Sequence, residues 1–138
     1  WDLTAVAAHG ALLARAGSPE TALRLLDRVA RELPAPPDEV AFSAFLALEA
    51  LDRVDEADAR ADALDAGARP LHLVAVLLRA HRAGDRTRAA ATVAELRRAA
   101  PEVAADPLGY LTRNGIAPPL ARRLGLELLA TDLAAPRP

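Results

Sequence analysis

Four aspartates, Asp55, Asp58, Asp62 and Asp65, recur at spacings of three and four residues. On a helix that spacing gathers carboxylates into one narrow sector, which could hold a cation or supply a general acid and base. The opposite sector carries Ala57, Ala61 and Leu64, so the carboxylates are expected to form the solvated outer face of a packed helix. Arg24, Arg28 and Arg31 make an equivalent stripe upstream, and Arg86, Arg97 and Arg98 decorate a later segment. Outer faces that alternate basic, acidic and basic predict ion pairs between neighbouring helices, each contributing about 0–1 kcal/mol.

Other chemistry-bearing residues are sparse. His72 and His81 stand nine positions apart, on opposite sides of one helix, and cannot share a metal ion there. His9 falls on an apolar packing stripe. Ser43 sits in mid-helix without an evident base, and Ser18 is the other serine. Cysteine is absent, which excludes disulfides, thiolate metal sites and thiol nucleophiles. There is no Gly-rich phosphate loop, serine elbow or metal-ligand cluster. The expectation is a protein that is not an enzyme and that uses no metal or cofactor.

The elements that must position these residues are helical. Of the 138 residues, 52% are hydrophobic, 26% charged and only 3% aromatic, so the core is aliphatic and favours closely packed Ala and Leu helices over sheet. All 17 basic residues are Arg, with no Lys or Gln and a single Ile and Asn; this reads as the codon bias of a GC-rich bacterial genome. A net charge of −2 provides no field that recruits nucleic acid or anionic lipid. The apolar run around Leu73 to Leu78 is far short of a bilayer span. With no signal peptide, a cytoplasmic setting is expected. The start at Trp1 instead of Met predicts a piece excised from a longer protein, or a processed one.

Gly and Pro divide the chain into eight predicted helices. The first runs from about Leu3 to Ala16, ended by a left-handed Gly17. Ser18 caps the second, with Pro19 in its first position, and it stops before Pro34. Pro36 and Pro37 open the third, with Asp38 and Glu39 in its first turn. Asp55 caps the fourth, which Gly67 ends. The fifth runs from Pro70 to Gly84, and the sixth from Asp85 or Thr87 to before Pro101. Asp106-Pro107 opens a seventh that Asn114-Gly115 ends, and Pro118-Pro119 starts an eighth through about Thr131, before a frayed end at Pro136, Arg137 and Pro138.

Three stretches share one spacing. Gly17, Ala22, Leu26, Val29 and Pro34 match Gly84, Ala89, Val93, Leu96 and Pro101, and Asp52, Ala57, Ala61, Leu64 and Arg69 form a middle copy with Pro70 one place late. The units are about 34 residues long, the period of a helix–turn–helix solenoid. The small residue (Ala22, Ala57, Ala89) lets paired helices approach closely, and Gly10 sits where two helices would cross.

This pattern resembles the tetratricopeptide repeat family, with a small residue on the first helix, Gly at its end, Ala early on the second and a closing Pro. The likeness covers about residues 3 to 101, as repeats 3–36, 37–69 and 70–101, with a helical cap over 102–133. It departs where the family's aromatics are missing and where Phe45 and Leu77 replace the small residue. The resemblance implies an all-α solenoid of antiparallel helix pairs forming a right-handed superhelix, a single domain over 1–138. It also implies a concave groove lined by the first helices, which binds a peptide or partner helix. The family's Lys and Asn clamp for a terminal carboxylate is absent from the matching positions.

On that pattern the groove carries Arg15, Phe42, Leu46, Glu49, Leu71, Val74, Leu78 and Arg82, with an exposed apolar middle that a hydrophobic or amphipathic segment would cover. The last helix presents Leu120, Leu124 and Leu128 on one side and Leu126, Leu129 and Leu133 on the other. A terminal cap needs a polar outer face, so the second stripe predicts a homodimer or a fused neighbouring domain. The sequence therefore predicts a non-catalytic interaction module with a protein or peptide partner and neither nucleic acid nor membrane. The alternative is a regulatory or homo-oligomerisation domain of a longer bacterial regulator or enzyme.

Overall fold

The computed structural model describes residues 2–64 and 69–134. Trp1, Asp65, Gly67 and residues 136–138, named above, lie outside that range. Among the described residues the protein is all-α, with nine helices, one 3-10 turn and no strand. Its contacts fall into two compact units, Trp1–Asp65 and Ala66–Pro138.

The first unit holds α1 (Leu3–Ala16), α2 (Pro19–Glu32), α3 (Asp38–Ala50) and α4 (Val54–Ala61). Asp2 caps α1 by accepting from the amides of Thr4 (3.0 Å) and Ala5 (3.3 Å), satisfying donors that the first turn leaves open. Gly17 ends it in the left-handed region at φ 90°. Ser18 occupies the cap of α2 but its side chain makes no capping bond, and Pro19 starts the helix instead. Leu33 leaves α2 extended (φ −105°, ψ 130°), as the following proline requires. In this unit α2 packs back on α1, α3 lies beside both, and α4 packs on α3.

The turn between α3 and α4 departs from expectation. The cap is Arg53, not Asp55, which falls inside the first turn. The chain reverses through Asp52 at φ 61°, a non-glycine in the left-handed region. Asp52 holds the same repeat position as Gly17 and as Gly84, whose φ is 68°. The three first helices thus end on one left-handed corner, built twice from Gly and once from Asp, a side chain that tolerates this conformation.

The second unit holds α5 (Pro70–Ala83), α6 (Arg86–Ala99), α7 (Pro101–Ala105), α8 (Pro107–Arg113), α9 (Pro118–Leu129) and a 3-10 turn at Asp132–Ala134. Asp85 caps α6 through the Arg88 amide, and Asp106 caps α8 through the Gly109 amide (2.9 Å). Helix α7 is an addition to the predicted eight: Pro101 does not merely end α6 but opens a further five-residue turn. Within this unit α5 pairs with α6, α8 with α9, and α9 also touches α5.

Close helix approach has a visible cause at two glycines. A methyl group at Gly10 would lie 3.0 Å from Leu26 Cγ, and one at Gly125 would lie 3.2 Å from Leu108 Cα. Gly10 seats α1 on the side chain of Leu26 in α2. Gly125 brings α9 onto the backbone of α8.

Candidate interaction site

Helices α3 and α5 were expected to be two-faced, with one side open to a groove. Nine of the 13 residues of α3 and nine of the 14 of α5 are buried. Both are apolar around most of their circumference, and such helices are buried on all sides. This corrects the sequence expectation of an exposed apolar lining. Phe42, Leu46 and Val74 are each 1% exposed, Leu78 is 0% and Leu71 7% exposed, and even Glu49 is at 1%. These residues belong to the core and offer no open apolar surface.

Two of the predicted groove positions, Arg15 and Phe42, do meet, together with Glu39 from the first turn of α3. Arg15 of α1 reaches Glu39 of α3 at 2.9 Å, and its guanidinium lies 6.0 Å from the ring centroid of Phe42. Ser43 also donates to Glu39 (3.4 Å). Phe42 in turn stacks on Phe45, with centroids 6.2 Å apart. Arg82, predicted at the far end of the groove, bonds Glu127 of α9 at 2.8 Å. These arginines tie helix to helix, an arrangement that fixes register within each unit.

The aspartate stripe also changes character. Asp55 and Asp62 are exposed but Asp58 is only 7% exposed, so the stripe is not a uniformly solvated face. Among the described residues no group of three or more His, Asp or Glu is placed to hold a metal ion. An ion pair between outer helices is present in reversed sense, with Arg60 of α4 holding Asp27 of α2 at 2.7 Å. Arg28 pairs with Glu32 on its own helix. His9 is exposed, not packed, and His72 is buried at 3%.

Among the described residues the exposed large apolar side chains are Leu12 on α1, Leu108 on α8 and the pair Leu126 and Leu129 on α9. Leu120, Leu124 and Leu128 are buried, whereas Leu126 is 61% and Leu129 52% exposed. Leu133, placed with them by continuing the helical period, is 1% exposed. The reason is that α9 stops at Leu129 and the chain tightens into the 3-10 turn, which rotates Leu133 inward. Arg97 of α6 holds that turn by donating to the carbonyls of Asp132 (2.6 Å) and Leu133 (3.1 Å). Sequence reasoning missed Leu108, which is 42% exposed and whose backbone lies against Gly125, one turn before Leu129. Its signal was available: a leucine directly after the proline that opens α8, on a helix too short to show a period.

Arg122 shares the outer side of α9 with Leu126 and Leu129, at spacings of four and three, and is exposed, as is Asp132 beyond the helix end. A cleft of about 580 Å³ nearby has Leu77, Ala80 and Val93 in its floor and His81, Arg86 and Asp132 among its rim residues. Its rim carries both signs of charge, which selects no ionic class of ligand. No helix among the described residues is long and apolar enough to cross a membrane. Compared with protein-family models, curated proteins and solved structures, the chain gives no match.

Proposed function

We propose that this chain is a non-catalytic protein–protein interaction module of the cytoplasm, built as a tetratricopeptide-like solenoid of helix pairs, and that it engages its partner through the outer face of α9. The observation that carries this reading is the pair Leu126 and Leu129, 61% and 52% exposed on adjacent turns, with Leu108 alongside. Scattered exposed leucines are ordinary on a protein surface, but apolar side chains grouped on one outer face of a helix are the usual sign of a surface that a partner covers. The solenoid reading draws its support from the left-handed corners at Gly17, Asp52 and Gly84 and from the side-by-side placement of α1 and α3.

The test is site-specific photocrosslinking in cells of the source organism. A photoreactive residue at Leu126 should give a discrete protein adduct that disappears when Leu129→Asp is added. The same residue at Leu12, which is 63% exposed on α1, serves as the comparison. No adduct from Leu126, or equal adducts from both positions, would overturn the proposal.

A further inference from the structure

The three helix pairs can be compared position by position, because Gly17, Asp52 and Gly84 mark the same left-handed corner. Burial differs at the positions three residues before that corner and five and six after it. In the first pair Ala14, Ala22 and Leu23 are at most 8% exposed. In the second, Glu49, Ala57 and Asp58 are at most 7% exposed. Their equivalents in the third pair are His81 and Ala90, both exposed, and Ala89, which is half-buried. Nearer the corner, Pro19 and Val54 are half-buried but their equivalent Arg86 is exposed. All four open positions of the third pair line the cleft of about 580 Å³.

Pairing within a hairpin does not bury these positions, since α5 and α6 pair and leave them open. The cover comes from the element that follows, as in repeat stacks where each unit leans on its neighbour. Helix α3, next after the first pair, lies against both α1 and α2. After the third pair the cover is divided: α9 touches α5, whereas α7 and the 3-10 turn touch α6. The space between them is floored by Leu77 and Val93, and Ala80 and Ala130 beside them are too small to fill it.

We infer that this cleft is the seat of one apolar helix from another protein, which gives α5 and α6 the cover that α3 gives α1 and α2. Its volume falls within the roughly 300–1,000 Å³ of ligand clefts, room for the side chains of one helix face. Helix α3 supplies the pattern of the occupant, with Val40, Phe42 and Phe45 in its first half. The rim holds Arg86 and Asp132, of opposite sign, so apolar shape does the selecting, as where a helix lies in a groove. Salt, which screens exposed charges, then has little effect on binding. The chain's own most apolar helices, α3 and α5, are already buried, which leaves the occupant to another protein.

The probe is a synthetic peptide of the α3 sequence, Asp38 to Ala50, with charged residues added at its ends for solubility. It is titrated into the isotope-labelled chain and followed by backbone amide NMR. Signals of Ala80, His81, Ala89 and Ala90 should move together and saturate, equally at low and high salt. Ala90→Glu puts a charge into the cleft at an exposed position and should weaken binding by about tenfold or more, with the melting temperature unchanged. Ala94→Glu, exposed on the same helix but outside the cleft, should bind as the parent does. A peptide carrying Phe42→Asp and Phe45→Asp should not bind.

No movement of these signals at millimolar peptide overturns the inference, and so does equal binding by the Ala90→Glu chain. If an aliphatic alcohol moves the same signals and the peptide does not, the cleft takes a small apolar ligand and the helix is excluded. If concentrating the chain alone moves them, the occupant is a second copy and the inference falls. Leu108, Leu126 and Leu129 do not line the cleft, so this titration and the Leu126 crosslink can fail independently.

Discussion

Gly84 and Asp52 show how single residues set the corners. A methyl group added to Gly84 would meet nothing within 4 Å, so Gly84→Ala tests the backbone alone. At φ 68° it is expected to cost about 1 kcal/mol, read by urea denaturation. Asp52 carries the same conformation at φ 61° with a side chain attached. Asp52→Gly should therefore stabilise the protein by about 0.5 kcal/mol, the relief of strain exceeding the extra freedom of the unfolded chain. Tyr110, the chain's one tyrosine, has its phenol raised above the usual value of 10.0 by burial and, secondarily, by the charge of Glu102. Its neutral form is the one favoured by folding. Stability should thus be level with respect to this group below pH 10.0, the unfolded reference, and fall as pH rises from there through the folded value. Spectrophotometric titration should show late ionisation that moves earlier in Glu102→Gln.

At the scale of helices, the outcome of a substitution depends on what the neighbour can yield. Replacing a helical glycine with alanine gains about 1 kcal/mol of propensity, while overpacking costs about 1–3 kcal/mol. At Gly10 the opposing group is the buried side chain of Leu26, and at Gly125 it is the α8 backbone at Leu108. Both changes should destabilise in thermal melts, Gly125→Ala more than Gly10→Ala, because a side chain can rotate and a backbone must move as a whole. The helices themselves were legible because Gly and Pro act locally: α1 ends, α5 begins and ends, and α6 begins where Gly17, Pro70, Gly84 and Asp85 place them. The α4 cap was not, since it depends on Asp52 adopting a conformation that sequence assigns to glycine. Leu133 was misplaced by extending a period past the point where the helix stops. The buried lining of α3 and α5 was misread because the spacing of leucines marks faces but does not say how many of them are covered.

Across the molecule, each unit builds a core of mainly aliphatic side chains, joined in the first by the stacked Phe42 and Phe45. Leu26 is fully buried with Ala22 and Val29 in the first unit, as are Leu124 and Leu128 in the second. Gly10 borders Leu25 and Leu26, whereas Gly125 borders Leu108, so the two sites share no neighbour. The losses from Gly10→Ala and Gly125→Ala should add to within about 0.5 kcal/mol in the double variant, and a larger departure in denaturation data would show that the cores are energetically joined. The exposed apolar face of α9 was half legible at this scale. Leu126 and Leu129 stand out from the sequence as a second stripe on α9, but Leu108 comes against α9 only through the Gly125 crossing, a contact between separate helices that no local pattern encodes.

The shared corner also limits how such a chain can vary. Each first helix hands over to the second through one left-handed residue, so the spacing across that joint fixes which way the next helix faces. One inserted residue after Gly84 would swing α6 by about 100°, moving Val93 and Leu96 away from α5 and bringing Arg97 off the carbonyls it holds. Side chains around these joints can drift while their lengths cannot, and descendants of this sequence should differ there by replacement and not by gaps.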